Sequence, residues 1–190
     1  PTRRSSDLAR ERWRRSHVRN QEFGGREFPS REALRKIIAD VCAALFPMRL
    51  GPNNLRHASE DYFVGQTLDL ALSELHEQVR LDLGYGQRHL GEQDAEQVRQ
   101  QAAEVVRRFA RSLPSLRSKL DTDVEAAYHG DPAARSVDEV LLCYPGITAI
   151  TYHRIAHQLY LLGAPLVARI IAEIAHSSTG IDIHPEIGRA

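Results

Sequence analysis

Few residues in this 190-residue chain have both the type and the spacing to do chemistry. His153 and His157 stand at i and i+4 of a helical pattern, a spacing some zinc sites use. The glutamate of a His-Glu-x-x-His motif is absent, though, and no third ligand is evident, so they read as packing or hydrogen-bonding histidines and no metal is assigned. Asp131, placed after Gly130 and before Pro132, reads on its own as the start of a turn. Asp182 on its own is a loop or strand-edge carboxylate, with His184 two residues on. Gly84-x-Gly86 lacks the third glycine of a dinucleotide fingerprint and has no strand before it, so it reads as a loop. Tyr62, Phe63, Phe109 and the lone Trp13 do not interleave with a basic stripe, which argues against base stacking.

The elements that must position these residues are helical. Pro29-Ser30 opens a helix in which Leu34, Ile37, Ile38, Val41, Cys42 and Leu45 recur at helical spacing, and Pro47 ends it. A second helix is predicted from about Asp61 to Asp82, with Leu68, Leu72, Leu75 and Val79 on one stripe and Gly84-Tyr85-Gly86 closing it. A third runs from about Gln93 to Ser112, carrying Val98, Ala102, Val105, Val106 and Phe109. Leu113-Pro114-Ser115 restarts the chain into a fourth, with Leu116, Leu120, Val124 and Ala127 inside and Gly130 as its C′ residue. Ser136-Val137-Asp138-Glu139 fits a capping box. Tyr144-Pro145-Gly146 breaks that short helix, and two more follow, separated by Gly163-Ala164-Pro165. After Ser177-Ser178-Thr179-Gly180 the pattern turns β-branched, alternating and non-helical through Ile181-Asp182-Ile183-His184-Pro185.

Composition is that of an ordinary globular chain, 42% hydrophobic and 26% charged, with 25 basic residues against 25 acidic. No global field attracts nucleic acid or an anionic membrane. Residues 1–20 alone are lopsided, with seven Arg against Asp7 and Glu11. Pro1 to Leu8 reads as the translation of a sequencing adapter, a non-native leader whose removal takes most of the case for nucleic-acid binding with it. Cys42 and Cys143 sit at apolar positions far apart, which is not a secreted disulfide framework and points to a reducing cytoplasm. No apolar run approaches the roughly 20 residues of a spanning helix.

Four pieces occur in order: Asp131-Pro132-Ala133-Ala134; Tyr144-Pro145-Gly146 leading to Thr151-Tyr152-His153-Arg154-Ile155-Ala156-His157; Ser178-Thr179-Gly180; and Ile181-Asp182-Ile183-His184-Pro185. Together, over about Leu116 to Pro185, they resemble the serine acetyltransferase family of hexapeptide-repeat acyltransferases. The resemblance implies a mainly α chain, an N-terminal helical domain leading into the first partial coil of a left-handed parallel β-helix. It implies transfer of acetyl from acetyl-CoA, a co-substrate and not a bound cofactor, to the hydroxyl of L-serine in cysteine biosynthesis. A hydroxyl is a poor nucleophile near neutral pH, so a histidine base must take its proton while a carboxylate orients that base.

By the same resemblance Asp182 is the orienting carboxylate, and its histidine partner lies beyond Ala190. Asp131 matches the aspartate that binds the substrate serine through its ammonium group. His184 is implied to position a turn and not to act as the base. The residues that hold CoA are unknown. The family also implies a homo-oligomer, a trimer or dimer of trimers, and, as a further partner, cysteine synthase (O-acetylserine sulfhydrylase) docked through a C-terminal tail. The compact His184-Pro185-Glu186-Ile187-Gly188 departs from the family's longer run, so Glu186 to Ala190 receive no site role.

The expected division is a leader at 1–8, a polar segment at 9–29, the helical domain at 30–178 and the start of the β-helix at 179–190. Such a chain, without the base, is expected to be inactive by itself. The competing reading is a helical oligomerisation or interaction module without chemistry of its own.

Overall fold

The computed structural model describes residues 28–88 and 95–188. The expected leader, the arginine-rich start and nearly all of the polar segment lie outside the described residues, as do Arg189 and Ala190. Among the described residues the elements are α1 (Arg31–Leu45), α2 (Pro47–Leu50), a 3-10 turn (His57–Ser59), α3 (Glu60–Arg88), α4 (Ala95–Gly130), α5 (Val137–Cys143), α6 (Pro145–Leu161) and α7 (Pro165–Thr179). The mainly helical expectation holds. No strand occurs among the described residues.

Local signals set several boundaries. Ser30 caps α1, its hydroxyl accepting the Ala33 N–H at 3.2 Å, and all six apolar positions read from the sequence are buried. Ser136 caps α5 by accepting the Glu139 N–H at 3.1 Å. The Glu139 carboxylate reaches back one residue further than in a capping box, to the Arg135 N–H at 2.8 Å. Between α6 and α7 the chain makes a Schellman turn: Gly163 adopts φ 95°, its N–H donates to Tyr160 O, and the Ala164 N–H donates to Leu159 O.

Three breakers behave differently from the expectation. The third and fourth predicted helices are one, α4, with Pro114 inside it. Phe109, Leu113, Leu116, Leu120 and Val124 are all buried, so a single apolar stripe crosses the proline and packing outweighs the lost backbone bond. Gly84-Tyr85-Gly86 does not close the second helix as a loop; it continues to Arg88, and the Tyr85 ring packs 5.0 Å from that of Phe28. A helical glycine costs only about 1 kcal/mol, which tertiary contacts override. Gly130 is the last helical residue of α4 and has no positive φ, so it is not a left-handed C′ residue.

The core lies between α1, α3, α4, α6 and α7, where Leu34, Ile38, Leu75, Val79, Phe109, Leu120, Ile155 and Ile171 are almost completely buried. Polar ties lock the helices in place. Asp82 on α3 is 4% exposed and accepts the Val167 N–H at 2.9 Å, capping α7, whose own N-cap residue Ala164 offers no side-chain bond. Arg154 on α6 grips Asp123 on α4 through two bonds of 2.5 and 2.7 Å. No helix among the described residues is long and apolar enough to cross a membrane.

Candidate active site

Asp131 sits in the turn between α4 and α5. Its Oδ1 accepts the Ala133 N–H at 2.9 Å, and its carbonyl accepts the Ala134 N–H at 3.1 Å, so the turn reading of Asp-Pro is realised. Its Oδ2 does something a turn does not require. It accepts the hydroxyl of Tyr144 at 2.6 Å. Tyr144 is the junction of two helices: its N–H caps α5 on Val140 O, and its carbonyl opens α6 by accepting from Ile147. Pro145 follows at the first helical position, with its φ already set for the helix.

The Tyr144 hydroxyl, and then the Ala133 N–H, hold the Asp131 carboxyl below the usual carboxylate range. The same bond pushes the Tyr144 phenol up to about 12. Both shifts stabilise an ionised Asp131. No cation pairs with it among the described residues, which leaves a half-buried carboxylate with unused lone pairs. In the sequence Tyr144 reads as a helix breaker and as part of the family resemblance, with no site role of its own; its spacing from Asp131 carries no periodic signal.

The segment from Ile181 to Gly188 leaves α7 after Gly180, at φ 73°, as extended chain with a turn closed by the Ile187 N–H on His184 O. The Asp182 side chain is 49% exposed, and its Oδ2 lies 4.0 Å from His184 Nε2, too far for a hydrogen bond. His184 Nδ1 lies 3.3 Å from both Arg169 Nη1 and Glu186 Oε1. It can therefore accept from the guanidinium when neutral or donate to the carboxylate when charged.

The two histidines of α6 hold this segment. The rings of His153 and His157 stack with centroids 5.8 Å apart, and His157 Nδ1 donates to Pro185 O at 2.7 Å, which sets its tautomer. Gly188 lies against the His157 ring so closely that a Cβ there would overlap it. Burial, helped by His157 and Arg154, pulls His153 below the ordinary histidine range, while the backbone of Ile187 opposes the shift. No group of three metal-ligating side chains occurs among the described residues.

Asp131 and Asp182 are not brought together. Asp131 is tied to the start of α6 through Tyr144, whereas Pro185 is tied to His157, and between Pro145 and His157 the helix climbs about 18 Å.

Known proteins resemble this arrangement. Over 159 residues, 83% of this chain and 50% of the relative, the sequence is 50% identical to the plasmid serine acetyltransferase of Synechococcus elongatus. It is 51% identical over 63 residues to the serine acetyltransferase of Mycobacterium tuberculosis, covering 33% of this chain and 28% of that protein. Among solved structures, Entamoeba histolytica serine acetyltransferase 1 in complex with L-cysteine superposes with a TM-score of 0.63 at 30% identity, over 79% of this chain and 49% of that one. No protein-family model matches the chain. In both fold and sequence the chain is similar to acyltransferases. More particularly, over the residues matched the similarity is to serine acetyltransferases. It spans about half the length, or less, of these curated relatives.

Proposed function

We propose that the chain supplies the helical part of a serine O-acetyltransferase, which moves acetyl from acetyl-CoA to the hydroxyl of L-serine in cysteine biosynthesis. The observation that carries this reading is the 50% identity to the Synechococcus elongatus relative over 83% of the chain. Residues 30–178 form the helical domain. Residues 179–190 begin a left-handed β-helix whose later coils supply the histidine base and the CoA contacts.

Asp131 receives the ammonium of serine, and its low-lying carboxyl, unpaired with any cation among the described residues, supports that role. Asp182 orients the base, and its exposure at the end of the described chain leaves it accessible to one. The separation of the two carboxylates along α6 favours a site assembled between copies, hence a homo-oligomer built as a trimer or dimer of trimers. Tyr62 and Leu70 on α3 and Leu161 on α6 are exposed apolar side chains suited to such contacts, which also serves the reading of the helices as an assembly module. The enzyme works in the cytoplasm, and cysteine synthase is its partner through a C-terminal tail.

A thioester-release assay with L-serine and acetyl-CoA tests the reading. The complete gene product should turn over, and residues 1–190 alone should not. Turnover by residues 1–190 alone would overturn the placement of the base. In the complete product, unchanged catalysis in both Asp131→Ala and Asp182→Asn, with only the mass altered when the helices are removed, would leave the assembly module as the function.

A further inference from the structure

The turn that carries Asp131 fixes only one of its carboxylate oxygens. Oδ1 is held by the Ala133 N–H two residues on, which leaves the plane of the carboxylate free to pivot about that bond. Oδ2 is held by Tyr144 from across the junction of α5 and α6 at 2.6 Å. Tyr144 is itself a rigid post. Its backbone is bonded into both helices, Pro145 follows it, and its ring packs against the hydrophobic core. Tyrosine has few rotatable bonds, so little entropy opposes its holding a partner still. Both donors to Asp131 are neutral. The carboxylate therefore keeps its full charge and about two of its four lone-pair sites, in a direction the two bonds define.

We propose that Tyr144 is a positioning residue, whose hydroxyl fixes the orientation of the Asp131 carboxylate so that its unused lone pairs face the ammonium group of the acceptor amino acid. The proposal rests on the reading of Asp131 as the ammonium site. Tyr144 touches no substrate and acts only through Asp131. Its hydroxyl also disfavours protonation of the carboxylate, so the site stays charged in weakly acidic solution. Besides Asp131 itself, Glu139 and Cys143 are the ionisable groups whose charges reach the Tyr144 hydroxyl; all three oppose its ionisation and so keep it a donor.

A double-mutant cycle in the complete gene product tests this, with kinetics measured against L-serine and acetyl-CoA separately. Tyr144→Phe keeps the ring and removes one hydrogen bond, and should raise the serine KM about fivefold, with kcat and the acetyl-CoA KM within about a factor of two. Asp131→Asn should raise the serine KM further. Adding Tyr144→Phe to Asp131→Asn should then cost nothing more, because the charge that the hydroxyl orients toward the ammonium group is already gone. A serine KM raised by Asp131→Asn but untouched by Tyr144→Phe overturns the proposal. So does a Tyr144→Phe penalty that persists undiminished beside Asp131→Asn, which would mark a purely structural tyrosine. A serine KM indifferent to Asp131→Asn sinks the ammonium-site reading itself.

Discussion

The two carboxylates singled out by the sequence are held in opposite ways. Asp131 finds its partners at Ala133, Ala134 and Tyr144, none more than 13 residues away, in a turn clamped between consecutive helices. Asp182 lies in a segment with no regular structure of its own, pinned by His157, 28 residues before Pro185, and by Arg169 on the flank of α7. Closing a short loop costs little entropy, so the first site forms wherever its two helices form. The second exists only after α6 and α7 have packed, and its few contacts place it at the low-stability end of the molecule.

The severest way to break that contrast is to remove the base on which the second region stands. Asp82→Ala leaves the buried N–H groups that open α7 without an acceptor and should destabilise the fold by roughly 2–3 kcal/mol, read as a lowered melting temperature. Asp82 is held above the ordinary carboxyl range, chiefly by burial. A raised carboxyl binds its proton more tightly in the folded state, so its contribution weakens as pH rises from 3.8 through the folded value. Asp82→Asn keeps an acceptor and should remove that pH dependence at a smaller loss.

His157→Ala should cost less, about 1 kcal/mol globally, but should free residues 181–188 selectively. Hydrogen exchange there should rise while amides around Asp131 keep their protection; equal loosening of both regions would erase the distinction drawn between them. Acid should also destabilise the fold. Because His153 is depressed below 6.5, its contribution is present above that pH and is lost as pH falls through its folded value. Mild acidification should therefore lower the melting temperature, although the Ile187 backbone by itself favours the charged ring.

Tyr144→Phe should scarcely move the melting temperature. Carbon-detected NMR titration of the Asp131 carboxyl should show its midpoint rise toward the ordinary value, since the first cause of its depression is gone. The stability that Asp131 contributes above 3.8 and loses on acidification shrinks accordingly. An unmoved midpoint would mean that Ala133 alone sets it. Smallest of all is Arg169→Ala, which removes a largely exposed 3.2 Å pair with Glu186. Added salt should abolish even that difference in the melt, while leaving the His157 contact to Pro185 in place.

Sequence by itself determined the features whose causes lie within a few residues of one another. Ser30 and Ser136 announce the starts of α1 and α5, and the apolar stripe of α1 is buried as its spacing requires. The four pieces from Asp131 to Pro185 also pointed to the family of the relatives that the chain resembles. Tertiary structure decided what depends on distant burial. Pro114 and Gly84 are ordinary breakers that α4 and α3 run straight through; at Pro114 the side chains on either side already share one core, and past Gly84 the Tyr85 ring packs on Phe28. The same dependence explains Tyr144 and His157. A turn residue and a helical histidine become the two anchors of the candidate site only once folding sets Asp131 and Pro185 beside them. A hydrogen bond is short-ranged and directional, and no spacing in the sequence records it.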